Sequence, residues 1–394
     1  MHVLGRCGSG TDGGAANGGA TPCVAPSDCD DGTSGVPYLP TGALGTFLAR
    51  DGSDGAAVGL DLDRPHAGLV VGKRGSGKSH TLGVIAEAAA RAAGVAPVVV
   101  DPMGVFGGLA SESRGEPVPA RVVQKPTVRA DALPAASWPE VVGLDPSSPA
   151  GSLVWRAADD APTLAAMRRA VARADVPEGT RRVAENHLRT AASWSVFDPR
   201  GCRPSALADG EATVLDLSGL DPAPANAVVA AVARGLYDAR LAGAIDRLPW
   251  LLVDEAHAFF EGVAAPSLRT LLTRGRAPGV SLFAATQRPS ALPAVAVSQA
   301  DLLLAHRLTS AADVEALAAA RPTYLGGSVR ERLPAERGCA LVVDDATESV
   351  NVVRVRRRDT PHGGDSPRAS EATRESEATR EDEATRESEG TVDR

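Results

Sequence analysis

Eight residues, GKRGSGKS at 72–79, constrain this chain more than any other stretch. They match G-x-x-x-x-G-K-[ST], a loop whose backbone N–H groups turn inward around phosphate oxygens. Gly72, Gly75 and Gly77 supply the backbone freedom that such a turn needs. In this pattern Lys78 places a mobile ammonium on the β- and γ-phosphates, and Ser79 offers a hydroxyl to Mg²⁺. Arg74, Ser76 and His80 complete the stretch expected against the nucleotide, while Lys73 is read either as part of it or as a solvated side chain. The apolar run 68–71 (GLVV) predicts a buried strand entering the loop. Residues 79–93 predict the helix leaving it, with Leu82, Ile85, Ala86 and Ala89 on one face. A bound phosphate would then lie at a helix N-terminus, where free N–H groups and the dipole favour an anion. The chain has 41 glycines but only three lysines, Lys73, Lys78 and Lys125. Two of the three fall inside the loop, which argues against a chance match.

The 394 residues suffice for one large domain or two modest ones. Aromatic residues make up only 3 % of them, which fits closely packed α/β layers better than an aromatic-rich sandwich. No apolar run reaches membrane-spanning length and the start carries no secretory h-region, so the cytoplasm is the expected compartment. Five scattered cysteines form no C-x-x-C pair, which speaks against a zinc site or a disulfide framework. The net charge of −8 excludes a general basic footprint for nucleic acid. Residues 365–394 contribute ten acids against five arginines, −5, so the remainder stands at only −3. A nucleic-acid contact would therefore be local, such as the pore of a ring.

Residues 1–36 are rich in Gly, Ser, Asp and Thr and are read as disordered. Residues 37–358 form the expected domain, with short strands and turns over 41–63 leading to the phosphate loop. Beyond the loop, apolar runs alternate with helical stretches: strands are expected over 97–101, 213–217, 250–254, 281–286, 301–305, 339–343 and 350–355. Such continuous runs imply a mostly parallel sheet covered on both faces. Residues 126–212 break the rhythm and predict a helical insertion. The tail from 359 onward repeats SEATRE, SEATRE, DEATRE, and is read as disorder or a fluctuating charged helix; an acidic docking peptide is the alternative.

Hydrolysis needs a second, carboxylate motif, and LPWLLVDEAHAFF (248–260) supplies it. An apolar strand delivers Asp254 to its C-terminal edge as a support for Mg²⁺, with Glu255 next to it as general base. His257 is read as a structural or sensing hydrogen-bond partner. A further strand ends in Thr286 and Gln287, and the glutamine could sense the γ-phosphate or orient water.

Together with these motifs, TRGRAPGVSLFAATQRPS (273–290) resembles the HerA–FtsK family of DNA-translocating ATPases. The segment 58–87 is similar to the HerA branch, and ADLLLAHRLTSAADVEAL (300–317) continues the likeness. The resemblance covers about residues 41–355 and is thin over 105–212. It implies a RecA-like P-loop core, with ATP and Mg²⁺ bound at the loop and hydrolysis coupled to movement along double-stranded DNA in a hexameric ring. A nuclease or other DNA-processing protein would be a further partner. Residue by residue it implies Lys78 and Ser79 on phosphate and metal, Asp254 on the metal, Glu255 as base and Gln287 as sensor. Arg276 is the favoured arginine finger acting on a neighbour's ATP, with Arg274 second and Arg288 a structural or sensor residue. The segment DPMGVFGG (101–108) departs from the family's usual His-Gly-Glu character, no Arg/Lys-rich pore loop is evident, and there is no room before Gly72 for a complete N-terminal β-barrel. A nucleotide-gated adaptor that binds ATP without moving DNA is therefore the competing reading.

Overall fold

Apolar runs become strands at each of the expected places, because a chain segment buried on both faces can satisfy its backbone only by pairing along its whole length. The computed structural model describes residues 1–6, 39–319 and 328–363. Twelve strands follow one another in the chain: β1 (His2–Leu4), β2 (Thr41–Leu48), β3 (Asp54–Asp61), β4 (Ala67–Val71), β5 (Val95–Asp101), β6 (Ala120–Gln124), β7 (Ala212–Asp216), β8 (Leu248–Val253), β9 (Ser281–Thr286), β10 (Leu302–Ala305), β11 (Cys339–Asp344) and β12 (Ser349–Val355). They form one sheet in the order β1-β3-β2-β12-β11-β10-β4-β9-β8-β5-β7-β6.

From β10 to β6 every neighbouring pair is parallel. Here β4, β5 and β9 are buried at every residue. Alternate side chains enter two separate cores, Leu69 and Val71 on one face and Val70 on the other, as the two-residue period of a strand requires. Helix α1 (Lys78–Arg91) covers one face with Leu82 and Ile85, while the long helix Pro222–Leu241 and the helix Ala265–Arg274 cover the opposite face. The connection between β6 and β7 carries the helices Pro149–Asp160, Leu164–Arg173 and Glu178–Ser193. Ser148 and Thr163 cap the first two through hydrogen bonds from Gly151 and Ala166 N–H. Strand β6 just before this insertion had no expectation attached to it; its five residues are only partly buried and carry no continuous apolar run.

Two boundaries need correction. Residues 1–6, expected to be disordered, contain β1, which pairs in parallel with β3. Leu4 is buried, Gly5 N–H donates to Asp344 Oδ2 at 2.9 Å, and Arg6 pairs with Asp61 at 2.9 Å. Three residues are too few for a visible period, so only distant partners reveal this strand. The ordered chain also runs past 358: Thr360 is buried, and its N–H and hydroxyl both donate to Glu87 of α1. Residues 7–36 and the repeat tail from 364 lie outside the described residues. Among the described residues no helix is long and apolar enough to cross a membrane.

Candidate nucleotide site

The phosphate loop leaves the C-terminal end of β4, in the parallel half of the sheet between β10 and β9. A Cβ at Gly72 would lie 2.5 Å from Ser76 Oγ and 2.6 Å from His306 Cβ, so only glycine fits there. Gly77, with φ 120°, occupies the N-cap of α1 in a conformation closed to other residues, and no side chain caps the helix. The first N–H groups of α1 therefore stay free for an anion. Within the loop, Lys73 N–H donates to Arg307 O at 2.8 Å, and Lys73 O accepts from Ser76 Oγ at 2.8 Å and from Lys78 Nζ at 3.3 Å. These contacts tie the loop to itself and to the segment after β10. His80 Nε2 lies 2.9 Å from Arg356 O, and the residue lines the same cavity as the loop.

Walker-type chemistry requires the loop and the acid strand to meet, and here they do. Ser79 Oγ donates to Asp254 Oδ2 at 2.8 Å. Asp254 is 1 % exposed, and its other oxygen accepts from Glu255 N–H at 3.0 Å. Burial pushes the Asp254 carboxyl above its ordinary range, and the neighbouring Glu255 charge adds to the effect. Glu255 is likewise raised by burial, while Lys78 and the hydrogen bond from Gln287 oppose the shift. Lys78, almost fully buried, is lowered by burial against the pull of Glu255 and Asp254. Two carboxylates and one ammonium thus share a desolvated space in which added positive charge would be strongly favoured. Glu255 adopts φ 46°, a left-handed conformation that costs free energy outside glycine and is retained at functional positions.

His257 Nδ1 lies 3.4 Å from Glu255 Oε2 and 3.2 Å from Thr286 Oγ1, so the histidine joins the end of β9 to the acid pair. Burial, and then Arg288, keep its pKa below the usual histidine value. Gln287 follows β9 directly and reaches Glu255. The sequence-selected residues Lys78, Ser79, Asp254, Glu255 and Gln287 therefore come together. Arg276 does not join them: it is exposed, and its Nη2 donates to Gln299 O at 3.2 Å. Arg274 and Arg288 are exposed as well.

Other residues of the site escaped the sequence reading. Asp101, at the end of β5, is buried and accepts three backbone N–H groups, from Met103, Val105 and Phe106, which folds the following loop beside the site. Burial raises its carboxyl, with Asp254 contributing. The Asp-Pro pair after an apolar run was its only sequence signal. Arg337, Arg354 and Arg357, near β11 and β12, line the same cavity of about 510 Å³ as Arg74, Gly75 and Lys78. Nothing local marks these three, because their approach depends on the pairing of distant strands. His306 follows β10 and is fully buried between Thr81 Oγ1 at 2.9 Å and Cys339 O at 2.8 Å. Burial brings its pKa down to about 4, so it is a neutral strut behind the loop.

Among solved structures, VirB4 of Thermoanaerobacter pseudethanolicus matches with a TM-score of 0.62 at 16 % identity, over 82 % of this chain and 98 % of that one. Plasmid coupling protein TrwB in complex with the non-hydrolysable GTP analogue GDPNP matches with a TM-score of 0.52 at 17 % identity, over 86 % of this chain and 99 % of that one. The α/β fold of this chain is thus similar to the fold of VirB4 and TrwB. No protein-family model matches the sequence, and no curated protein matches it significantly. The P-loop and the acid strand of this chain thus lie on a sheet with the VirB4 and TrwB arrangement, at identities that speak for the fold alone.

Proposed function

We propose that this protein is an ATP-hydrolysing motor of the HerA–FtsK type, acting on double-stranded DNA as an oligomeric ring. The observation that carries the hydrolytic reading is the 2.8 Å hydrogen bond between Ser79 and Asp254, with Glu255 and Lys78 beside it. A simple nucleotide-binding switch has no need for a strained, desolvated glutamate at this position. Ser79 and Asp254 fit Mg²⁺, since a buried carboxylate with a raised pKa gains most from a cation, and the metal would neutralise charge on the phosphates. Among the described residues no group of three or more metal-ligating side chains stands ready, so the phosphates would complete the coordination.

In this reading the N-terminus of α1 and Lys78 hold the β- and γ-phosphates. Glu255 accepts the proton of the attacking water, and its raised pKa makes it a better base than an exposed glutamate. Gln287, bonded to Glu255, orients that water, while His257 and Thr286 fix the position of the acid. In the same reading Arg276, which is exposed and does not line its own chain's cavity, is the finger acting on a neighbour's ATP. The fold likeness supports DNA handling in this reading, and the ring and a nuclease or similar partner are what the family resemblance implies.

The test is ATP turnover by the purified protein with and without linear duplex DNA, at low and high salt, with Glu255→Gln as the blank. Stimulation by DNA that disappears in the variant supports the motor. Glu255-dependent turnover indifferent to DNA would reassign the motor to another partner. Tight ATP binding with no turnover would favour the adaptor.

A further inference from the structure

Among the described residues four non-glycine residues have positive φ: Lys125 (53°), Ser195 (59°), Glu255 (46°) and Glu348 (49°). Glu348 sits in the tight turn between β11 and β12, where left-handed residues are ordinary. Glu255 belongs to the nucleotide site. The other two line one cavity of about 450 Å³, together with Trp194, Asp216 and Ser218. Backbone strain of this kind persists where the surroundings over-determine it, and it gathers at ligand clamps.

The cavity opens where the insertion meets the sheet. Lys125 follows the last residue of β6, and Asp216 ends β7, so both lie at the C-terminal edge that also carries the phosphate loop. The segments after β6 and before β7 are tied together: Val128 N–H donates to Val196 O at 2.8 Å, Asp198 N–H to Val128 O at 3.0 Å, and Cys202 N–H to Thr127 O at 2.7 Å. Lys125 and Ser195 are thereby fixed at the cavity wall. A Cβ on Gly104 would lie 3.2 Å from Ser218 Oγ, so the 103–104 turn stands between this cavity and the nucleotide cavity, which Met103 lines.

Its chemistry is specific. Lys125 is exposed and forms no ion pair among the described residues. Trp194 is half-buried, leaning on Phe197 with ring centroids 6.4 Å apart. Asp216 Oδ1 is occupied by Ser218 N–H at 3.0 Å and Ser218 Oγ at 2.7 Å, which leaves its other oxygen as an acceptor. A single ammonium suits one phosphate, and the carboxylate disfavours a di- or triphosphate. An indole beside them suits the flat face of a base.

We infer that the Lys125–Trp194 cavity binds one unpaired nucleotide unit, with its base on the Trp194 ring and its phosphate at Lys125. The inference rests on the nucleic-acid reading above but goes beyond it, because a base held inside a duplex cannot reach an indole face. The unit could belong to a single strand or be a free nucleoside monophosphate; the ligand chemistry is the same.

The full chain is titrated with a roughly 15-nucleotide thymidylate oligomer and, separately, with thymidine monophosphate, following tryptophan fluorescence and the anisotropy of a labelled oligomer. The oligomer is expected to quench fluorescence, and Trp194→Phe removes the quenching. Lys125→Gln and Trp194→Ala each weaken binding roughly tenfold, whereas ATP turnover without DNA stays at the wild-type rate. Competition by the monophosphate assigns the site to free nucleotides, and its failure to compete assigns it to a strand. Lys125→Gly separates ligand from fold: binding falls while Tm stays equal or rises by roughly 2 °C, since glycine relieves the strain. Unchanged affinity and quenching in the variants, or no binding of either ligand to the wild type, overturns the inference. A wild type that binds the oligomer through this cavity yet shows no DNA-stimulated turnover would instead sink the motor reading and leave the cavity standing.

Discussion

The two halves of the sheet are built differently and carry different groups. From β10 to β6 the strands are parallel, nearly all apolar, and end along one edge where Lys78, Asp101, Asp254 and Gln287 emerge. From β1 to β11 the pairings are mixed, β2 and β12 are only partly buried, and charged side chains hold the parts together. There Arg6 pairs with Asp61, and Asp344 accepts from Gly5 N–H and Thr347. The joint between the halves lies on α1. Glu87, fully buried, accepts from Asp359 and Thr360 and pairs with Arg356 at 2.8 Å, with Arg358 close by. Burial alone would raise the Glu87 carboxyl, but these hydrogen bonds and Arg356 outweigh it and leave the pKa lowered. One half therefore concentrates reactive groups where strands stop, and the other spends its polar groups on closure.

Variants can break this division. Glu255→Gln should reduce turnover by about 10³-fold with ATP affinity and Tm retained; a loss of folding instead would place the acid among the structural groups. Glu87→Ala should cost about 3–5 kcal/mol of unfolding free energy in denaturant titration, because it leaves the buried Arg358 guanidinium without its paired carboxylate. A small effect would show that the joint is dispensable. His306 gives a pH signature: its folded pKa near 4 lies below the ordinary 6.5, so the unfolded chain binds the proton first. Stability should thus fall as pH drops from 6.5 towards 4, by up to about 3 kcal/mol, and His306→Gln should flatten that slope. Leu4→Ala should cost about 2 kcal/mol through the cavity left at the sheet edge, with turnover per folded molecule unchanged. Smallest, the acid limb of kcat should lie above the ordinary glutamate value of 4.5, because Glu255 must be ionised to act and burial raises its pKa.

The parallel half was open to sequence reading because its signals are local. A glycine-lysine loop follows an apolar run, and an acid pair follows another; Ser281–Thr286 was even bounded correctly. Likewise Lys78, Ser79, Asp254, Glu255 and Gln287 follow those runs directly. The mixed half was legible only in part. Strand β1 is three residues long and owes its place to β3, more than fifty residues away. Residues 359–363 read as the start of a charged tail, yet Thr360 is held by Glu87. Arg337, Arg354 and Arg357 reach the nucleotide cavity through strand pairing that no motif announces.

The layered α/β core and the identity of the groups at the ends of β4, β8 and β9 were legible from local signals. Apolar period, glycine conformation and the order of donor groups all act within a few residues of one another. It took the assembled sheet to bring Arg337, Arg354 and Arg357 to one cavity, to lock α1 to the segment after β12, and to set Lys125 and Ser195 along the wall of another. These depend on the register and order of strands far apart in the chain, set by the packing of the whole sheet rather than by any local pattern.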